Sequence, residues 1–589
     1  MLPLRRVGPV VKLGEGELGG KARVLPFLDR LLESSGISEQ FAPHTISIPE
    51  TWVLSTDCFQ EFVSRNMLEN CADINDDDEV RRRFLAASLS EGVSESLAHY
   101  LESHHQPLAI RSSALSEDTH YHPTAGLFDT HFTPNRGPNR LRQLEDAVKL
   151  VYASAFFHDV GRYMRKHCIP REDERMAVAM ETVVGSSHGS IHYPLISGVA
   201  QSVNYFPVGE MKPEDGVVTL VMGLGRRVVN GLDGLRFCPR YPLVRPQENA
   251  VLVRRSQRLF DAVDLSKGEI SLSGPDTETL ISIPIEDASS HGTLHHIASV
   301  WDEQTRIFYD SPIKPGRKVL TFSRLLSENP IPLPSMLQRV LAIVGDGFGM
   351  PVEIEFALDL HGGLGDPRAN LVLLQARPLP SLGQELQVNI PELPRHALLL
   401  DTDQTLGHGS TDAVHDIVFV DPEVFSLSTS DHIAHEVARL NQRLRDAGHE
   451  YILIGPGRWG SSNKAVGIPV RFRQIDGARL VAELSTQKLH VEPSQGTHFF
   501  HNMVSRQLFY LSVDARKGRD QIDLDWLRAQ DNAADTQLTK HIVTERDISV
   551  RVDATQRRGL AFFADTLRHQ AFPSAIDGTE LPGDKRGER

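Results

Sequence analysis

The chain has 589 residues, 40% of them hydrophobic and 24% charged, enough for three or four structural units at about 100–200 residues per domain. With 62 Lys and Arg against 77 Asp and Glu, the formal charge is −15, which argues against nucleic acid or an anionic membrane as the main partner. The four cysteines, Cys58, Cys71, Cys168 and Cys238, show no C-x-x-C spacing, so neither a disulfide framework nor a cysteine zinc site is expected, and a reducing cytoplasm fits best.

The opening MLPLRRVGPVVKLGEGELGG has two arginines with no apolar stretch behind them, so no signal peptide is expected. No apolar run approaches the roughly 20 residues that span a bilayer, and a soluble protein is predicted. From Lys21 to about Leu32, apolar residues recur at helical spacing directly after a glycine pair; ISIPETWVLS (46–55) then reads as a strand with a proline break. Helical stretches follow at 78–104, LAIRSSA (108–114) is a short buried strand, and a long helical pattern covers 139–167. The Val-rich alternation of MAVAMETVVG (176–185), ISGVAQSVNYF (196–206) and GVVTLVMGLG (216–225) predicts strands. PVEIEFALD (351–359) and NLVLLQARP (370–378) predict a strand pair.

The segment LPSLGQELQVNIPELP (379–394) has three prolines and no periodicity, which marks a linker and places a domain boundary near 385. Beyond it HALLLD, DIVFVDP, YILIGPG, GIPVRF and FYLSVDA read as strands, with a helix over 431–448. The end, 574–589, is polar and expected to be mobile.

Three segments carry candidate chemistry. In ELGGKA (17–22) two glycines permit close backbone approach and Lys21 brings a cation to a helix start, which suits a phosphate; the same text also fits a plain turn. In AIRSSALSED (109–118) a buried strand delivers Arg111, Ser112 and Ser113 to its end, either toward a ligand phosphate or toward a carboxylate inside the fold. Period-two alternation places Glu353 and Glu355 on one face of their strand, and Gln375 and Arg377 on one face of theirs. A carboxylate beside an amide oxygen suits Mg²⁺, whereas Glu355 and Arg377 alone would make a cross-strand ion pair.

Taken in order, GELGGKA, SIPETWVLST, AIRSSALSEDTHYHPTAGLFDT, AMETVVG with ISGVAQS, VMGLGRRVVNG, and VEIEFALD with LVLLQARP resemble the nucleotide-binding domain of pyruvate phosphate dikinase and phosphoenolpyruvate synthase, over roughly residues 8–380. The resemblance implies an α/β (mixed α+β) fold, an ATP-grasp module with two lobes meeting near 205, followed by a smaller α/β domain. It implies ATP and Mg as cofactors. Lys21 and Arg111 stand at positions that contact the nucleotide phosphates, with Ser112 beside them; Glu355 and Gln375 stand at the metal pair and Arg377 at the arginine after it. Thr124, Ala125 and Gly126 match a small-residue loop over the transferred phosphate. Glu181 falls where the family has a glutamine near the adenosine, and Arg226 replaces an acid in GLGRRVVNG.

The family's phosphohistidine motif is absent, and the stretch after the linker is too short for its barrel of ~250 residues. Residues 396–575 carry GPGRWGSS, whose glycines, Arg458 and serines suit an anion, with Trp459 placed to cover it; docking within the fold is the competing reading. His498 and His501, three apart, suit a metal pair, a phosphate acceptor or ordinary packing. The chain is therefore expected to be an ATP-dependent phosphotransferase with a module at 1–385, a linker at 386–395, and an accessory or acceptor domain at 396–575. Lys21, Arg111 and Arg377 are its expected catalytic charges, Arg458, Trp459 and His498 its possible acceptor site. The alternatives are a nucleotide sensor without turnover and an ATP-dependent ligase.

Overall fold

The computed structural model describes residues 1–117, 126–166, 169–170, 174–231, 234–244, 249–267, 279–310, 314, 316–327, 331–362, 366–379, 388–461, 463–487, 489, 493, 497–506, 508–514, 516, 518–554 and 556–566, with backbone alone at 166, 501, 504 and 505. Thr124, Ala125 and the tail 574–589 lie outside the described residues. The chain is mixed α/β and falls into two compact units. The first is Met1–Ser381 with Gly460–Asn463 and Ser494–Arg506; the second is Leu382–Trp459 with Lys464–Pro493 and Gln507–Arg589. A single cut near 385 therefore does not describe the division, because two short later stretches pack with the first unit.

In the first unit, one six-stranded sheet runs in the order Leu4–Val7, Val10–Leu13, Thr51–Leu54, Met176–Thr182, Leu108–Ala114, Thr130–Thr133. A second runs Leu235–Phe237, Val217–Met222, Ile196–Gln201, Val352–His361, Arg368–Pro378, Thr45–Ser47. The proline break in 46–55 has a consequence that local pattern does not show. Thr45–Ser47 pairs in parallel with Arg368–Pro378 in one sheet, while Thr51–Leu54 lies between Val10–Leu13 and Met176–Thr182 in the other. Residue 205, expected between two lobes, instead connects two antiparallel neighbours of a single sheet, Ile196–Gln201 and Val217–Met222.

Two cores hold these sheets. Leu25, Leu28 and Leu32 of the helix Gly19–Ser35 and Leu337, Val340 and Val344 of Leu333–Phe348 pack on Ile196, Leu358 and Leu371. Phe59, Phe62, Phe84, Leu97 and Tyr152, all on helices, pack on Leu54, Ile110 and Met180. Strand alternation directs Leu108, Ile110 and Ala114 into that helical core. Arg111 alternates to the opposite face, and that is how one strand is both core and site.

The second unit is built on a nine-stranded sheet in the order Thr405–Leu406, Phe509–Asp514, Ala478–Ser485, Tyr451–Pro456, His408–Phe419, Lys540–Asp553, Arg558–Phe563, Leu398–Thr402, Gln521–Ile522. The helix Ser430–Asp446 buries Ile433, Val437, Leu440 and Leu444. Of GIPVRF only Gly467–Ile468 is strand, and Phe472–Gln474 is a 3-10 turn. No helix among the described residues is long and apolar enough to cross a membrane.

Candidate active site

The glycine pair at the start of Gly19–Ser35 brings backbone against backbone. A Cβ on Gly19, which has φ +72°, would stand 1.7 Å from the Ser113 carbonyl oxygen, and one on Gly20 would stand 1.8 Å from that of Glu117. The close approach that two glycines allow is thus made to the chain's own strand end, and it delivers Lys21 there. Lys21 Nζ donates to Glu117 Oε1 at 2.8 Å and to Ser112 Oγ at 3.1 Å. Glu117, 3% exposed, is held by Ser112 Oγ at 3.0 Å and by the Ala114 amide at 2.8 Å. The motifs do not single out Glu117; its signal in the sequence is an acid four residues past two serines at the end of a buried strand. Ser113 Oγ in turn donates to the Leu18 carbonyl at 2.8 Å and accepts from the Ala22 amide at 3.1 Å, fixing the helix start.

Arg111 reaches across to the other sheet. Its guanidinium donates to Gln375 Oε1 at 2.8 Å, to the Leu374 carbonyl at 3.2 Å and to Glu181 Oε2 at 3.4 Å, and lies 3.7 Å from Glu355. Arg111 thus has carboxylate partners inside the fold, and its side chain is still 14% exposed. Glu181 also accepts from Thr51 Oγ1 at 3.2 Å, so its carboxylate ties three strands together.

The strand pair is antiparallel with Glu353 opposite Arg377 and Glu355 opposite Gln375, followed by an irregularity between Glu355 and Phe356. Arg377 does not pair with Glu355. Its Nε donates to Glu353 Oε1 at 2.8 Å and its NH2 to the same oxygen, while Gln201 Nε2 donates to Glu353 Oε2 at 2.6 Å. Glu353 and Arg377 are 2% and 5% exposed. This ion pair occupies much of the fork of Arg377, and Glu355 keeps 19% of its side chain exposed.

His498 joins these residues through the stretch Ser494–Arg506. Its Nε2 is 4.0 Å from Glu355 Oε1. A Cβ on Gly126 would stand 2.9 Å from its Nδ1. Burial, reinforced by the Arg377 charge, pushes this imidazole down to about 4, with Glu355 and Glu353 opposing the shift. Lys21, Arg111, Ser112, Glu181, Glu355, Gln375, Arg377, Gly126 and His498 are thus one assembly drawn from seven stretches of chain. Thr124 lies outside the described residues, as does the His501 side chain.

Arg458 and Trp459 are elsewhere. They form a two-residue strand paired with Gly467–Ile468 in the second unit. The Trp459 side chain is 1% exposed; its backbone amide donates to Glu483 Oε1 at 2.9 Å and its indole N–H to the Ala482 carbonyl at 3.1 Å. That leaves the ring no open face with which to cover a ligand.

A family model decides what this assembly belongs to. The pyruvate phosphate dikinase AMP/ATP-binding domain matches residues 15–397, well over half of the chain. The chain belongs to this family. Its membership makes ATP a supported ligand and places the chain in an ATP-binding phosphotransferase family. No curated protein matches the chain.

The divalent cation that such a family implies can be tested against the residues. Glu355 and Gln375 face each other across the register and offer one carboxylate and one amide oxygen, the donor chemistry of a hard cation. Among the described residues no group of three or more His, Cys, Asp or Glu side chains could hold a metal ion. The pair fits a cation that completes its shell with phosphate oxygens and water.

Proposed function

We propose that the chain is an ATP-dependent phosphotransferase whose reacting phosphates lie among Lys21, Arg111, Glu355 and Gln375. The observation that carries this reading is the convergence of two cations, one partly exposed carboxylate and one amide oxygen, from a helix start and from strands of two sheets, inside a nucleotide-binding family. Lys21, seated by Glu117 and Ser112, and Arg111, seated by Glu181, would bind phosphate oxygens and stabilise the negative charge that shifts onto the leaving oxygen. Arg377, fixed by Glu353, contributes a positive field from below. A Mg²⁺ held by Glu355 and Gln375 would add Lewis-acid stabilisation of the transferred group. The protein's own share is positioning and preorganised charge, since each cation is already oriented by a carboxylate before ligand arrives.

That same compensation supports a second reading, a nucleotide sensor, because the charges are balanced without turnover. One experiment separates the two: purified protein is incubated with ATP and Mg²⁺, and ATP, ADP and AMP are resolved by chromatography, with ATP binding measured by calorimetry. Catalytic loss of ATP supports the phosphotransferase. Tight binding with no nucleotide conversion, with or without candidate acceptors, supports the sensor.

A further inference from the structure

The loop that leads into Gly19–Ser35 is held by two charged side chains of opposite sign. It follows the strand Val10–Leu13 and runs through Gly14, Glu15, Gly16 and Glu17 to the helix start. Asp57 stands in the first turn of the helix Thr56–Arg65. Its Oδ2 accepts from the Glu15 amide at 2.9 Å, and Ser55 Oγ lies 2.5 Å from its Oδ1. Lys12 takes the carbonyls instead: its Nζ donates to that of Glu15 at 3.1 Å and to that of Gly16 at 3.0 Å. One residue on, both backbone groups of Glu17 are tied to Thr56, the amide donating to Thr56 Oγ1 at 2.9 Å and the carbonyl accepting from the Thr56 amide at 3.1 Å. The two loop glycines let Asp57 come this close. A Cβ on Gly14, at φ +95°, would stand 2.8 Å from Asp57 Oδ1, and one on Gly16 would stand 2.6 Å from the Asp57 amide nitrogen.

Successive amides in a glycine-rich turn ahead of a helix make an anion site. Here the anion is the protein's own carboxylate. Burial alone would raise the Asp57 carboxyl, yet hydrogen bonds from Ser55 and from the amides of Glu15, Gly16 and Asp57 itself hold it below the usual range. Asp57 is therefore ionised while it holds the loop. The consequence falls on Lys21, four residues past Glu17. The helix Gly19–Ser35 has no side-chain cap at its N-terminus, so its first turn depends on what ties the chain on either side of it. Upstream that is Glu17 on Thr56; at the turn itself it is the Leu18 carbonyl and the Ala22 amide on Ser113 Oγ.

We propose that Asp57 and Lys12 are positioning residues for the nucleotide, an inference that rests on the placement of ATP phosphates at Lys21 in the function proposed above. Neither touches the ligand. Asp57 gathers amides of the loop and Lys12 its carbonyls, and together they fix the helix start from which Lys21 reaches Glu117 and a phosphate oxygen. The amides of Glu15 and Glu17, spent on Asp57 and Thr56, are not offered to the phosphates, so at this end of the site the contact falls to the Lys21 side chain. A lysine is a compact charge on a flexible stem. Fixing the backbone beneath it before ATP arrives removes part of the ordering cost that binding would otherwise carry.

The test is a double-mutant cycle on the full chain, with the affinity for ATP and Mg²⁺ read by calorimetry. Asp57→Ala, Lys21→Met and the two combined are compared with the unaltered protein. Asp57→Ala alone should weaken ATP binding about tenfold, the scale of losing hydrogen bonds to a charged group. In the Lys21→Met background the same change should have almost no further effect, because the residue it positions is gone. A purely structural role would not give that coupling. Lys12→Met, which leaves Asp57 in place, should weaken binding in the same direction by a smaller factor and show the same dependence on Lys21, and it carries the test should Asp57→Ala not fold. Unchanged affinity in Asp57→Ala or, where that variant does not fold, in Lys12→Met overturns the proposal while the placement of ATP stands. Losses that add in full to that of Lys21→Met overturn it in the same way. If Lys21→Met itself binds ATP as tightly as the unaltered protein, the placement of ATP at Lys21 falls and the proposal falls with it.

Discussion

ELGGKA, in the first unit, and GPGRW, in the other, both set glycines beside a cation, yet they end in opposite arrangements. Gly19 and Gly20 press a helix start onto the carbonyls of Ser113 and Glu117 and leave Lys21 in a charged, partly open site. Gly455 instead makes room for an aromatic ring, since a Cβ there would stand 2.5 Å from Trp459 Cζ2. Gly457, at φ +76°, meets the Val466 carbonyl, and the Arg458 amide donates to that same oxygen at 2.8 Å. Glycine beside a cation therefore reports close backbone approach and leaves open what approaches. The discriminating feature is the carboxylate partners: Glu117, Glu181 and Glu355 take the side-chain cations Lys21 and Arg111, with Glu355 still 19% exposed, whereas Glu483, fully buried, is consumed by the Trp459 amide and by Tyr510 Oη at 2.5 Å.

That contrast can be broken at either end. The largest effect is expected for Trp459→Ala, which empties a packed site and should destabilise the second unit by about 3–5 kcal/mol. Hydrogen exchange resolved by peptide should show faster exchange over Tyr451–Pro456 and Ala478–Ser485, with ATP affinity unchanged; weakened ATP binding with unaltered exchange would assign Trp459 to a ligand after all. Glu355→Ala should lower Mg²⁺-dependent ATP turnover on the order of 10²–10³-fold, or about 2.7–4 kcal/mol, in a protein that stays folded. Turnover close to that of the unaltered protein would remove Glu355 from the site. Arg111→Met, which keeps much of the apolar stem, should raise the ATP dissociation constant about tenfold, or about 1.4 kcal/mol. Unchanged affinity in calorimetry would mean that Arg111 serves only Gln375 and Glu181.

The smallest effect concerns acid. His131 is fully buried and, among the described residues, has no hydrogen-bond partner on either ring nitrogen; it lies near Asp129 and Arg81, and burial aided by the Arg81 charge pushes it down to about 3. Its unfolded counterpart titrates near 6.5. Below that value the unfolded chain takes up a proton that the folded chain refuses, so stability present above pH 6.5 is lost as pH falls, down to about pH 3. Between pH 6.5 and 5.5 the loss should be about 1 kcal/mol, read as exchange over Leu108–Ala114 and Thr130–Thr133. His131→Leu should flatten that slope, and an unaltered slope would refute the assignment.

Much of the site is legible in the sequence because its elements advertise themselves locally. Alternation in VEIEF and LLQARP places Glu353 and Glu355 on one face of their strand and Gln375 and Arg377 on one face of theirs, and the structure pairs these faces across the register. Which carboxylate Arg377 takes is not legible, since Glu353 and Glu355 are equivalent to a period-two argument; Gln201, from a third strand, breaks the tie by donating to Glu353. His498 is undecidable from sequence for another reason. Its flanking phenylalanines do pack, as the pattern says, but the glycine and the carboxylate it faces come from remote parts of the chain, Gly126 and Glu355. In the second unit, Ala478–Ser485 and Lys540–Asp553 do not stand out as strands because polar residues interrupt them, whereas GIPVRF has a strand composition but turns after two residues.

The short span from Thr45 to Leu54 has a consequence for synthesis. Its first half is an edge strand whose only sheet partner among the described residues is Arg368–Pro378. On a ribosome adding about 5–20 residues per second, that partner emerges tens of seconds after the edge does. Throughout that interval Thr51–Leu54 can settle against Val10–Leu13 while Thr45–Ser47 waits with unpaired amides and carbonyls. The stretch Ser494–Arg506, which also packs with the first unit, arrives later still. The proposed nucleotide site is therefore among the last features of its unit to close, and a truncated or stalled chain would carry the sheet of Arg111 without the strands and the later stretch that complete it.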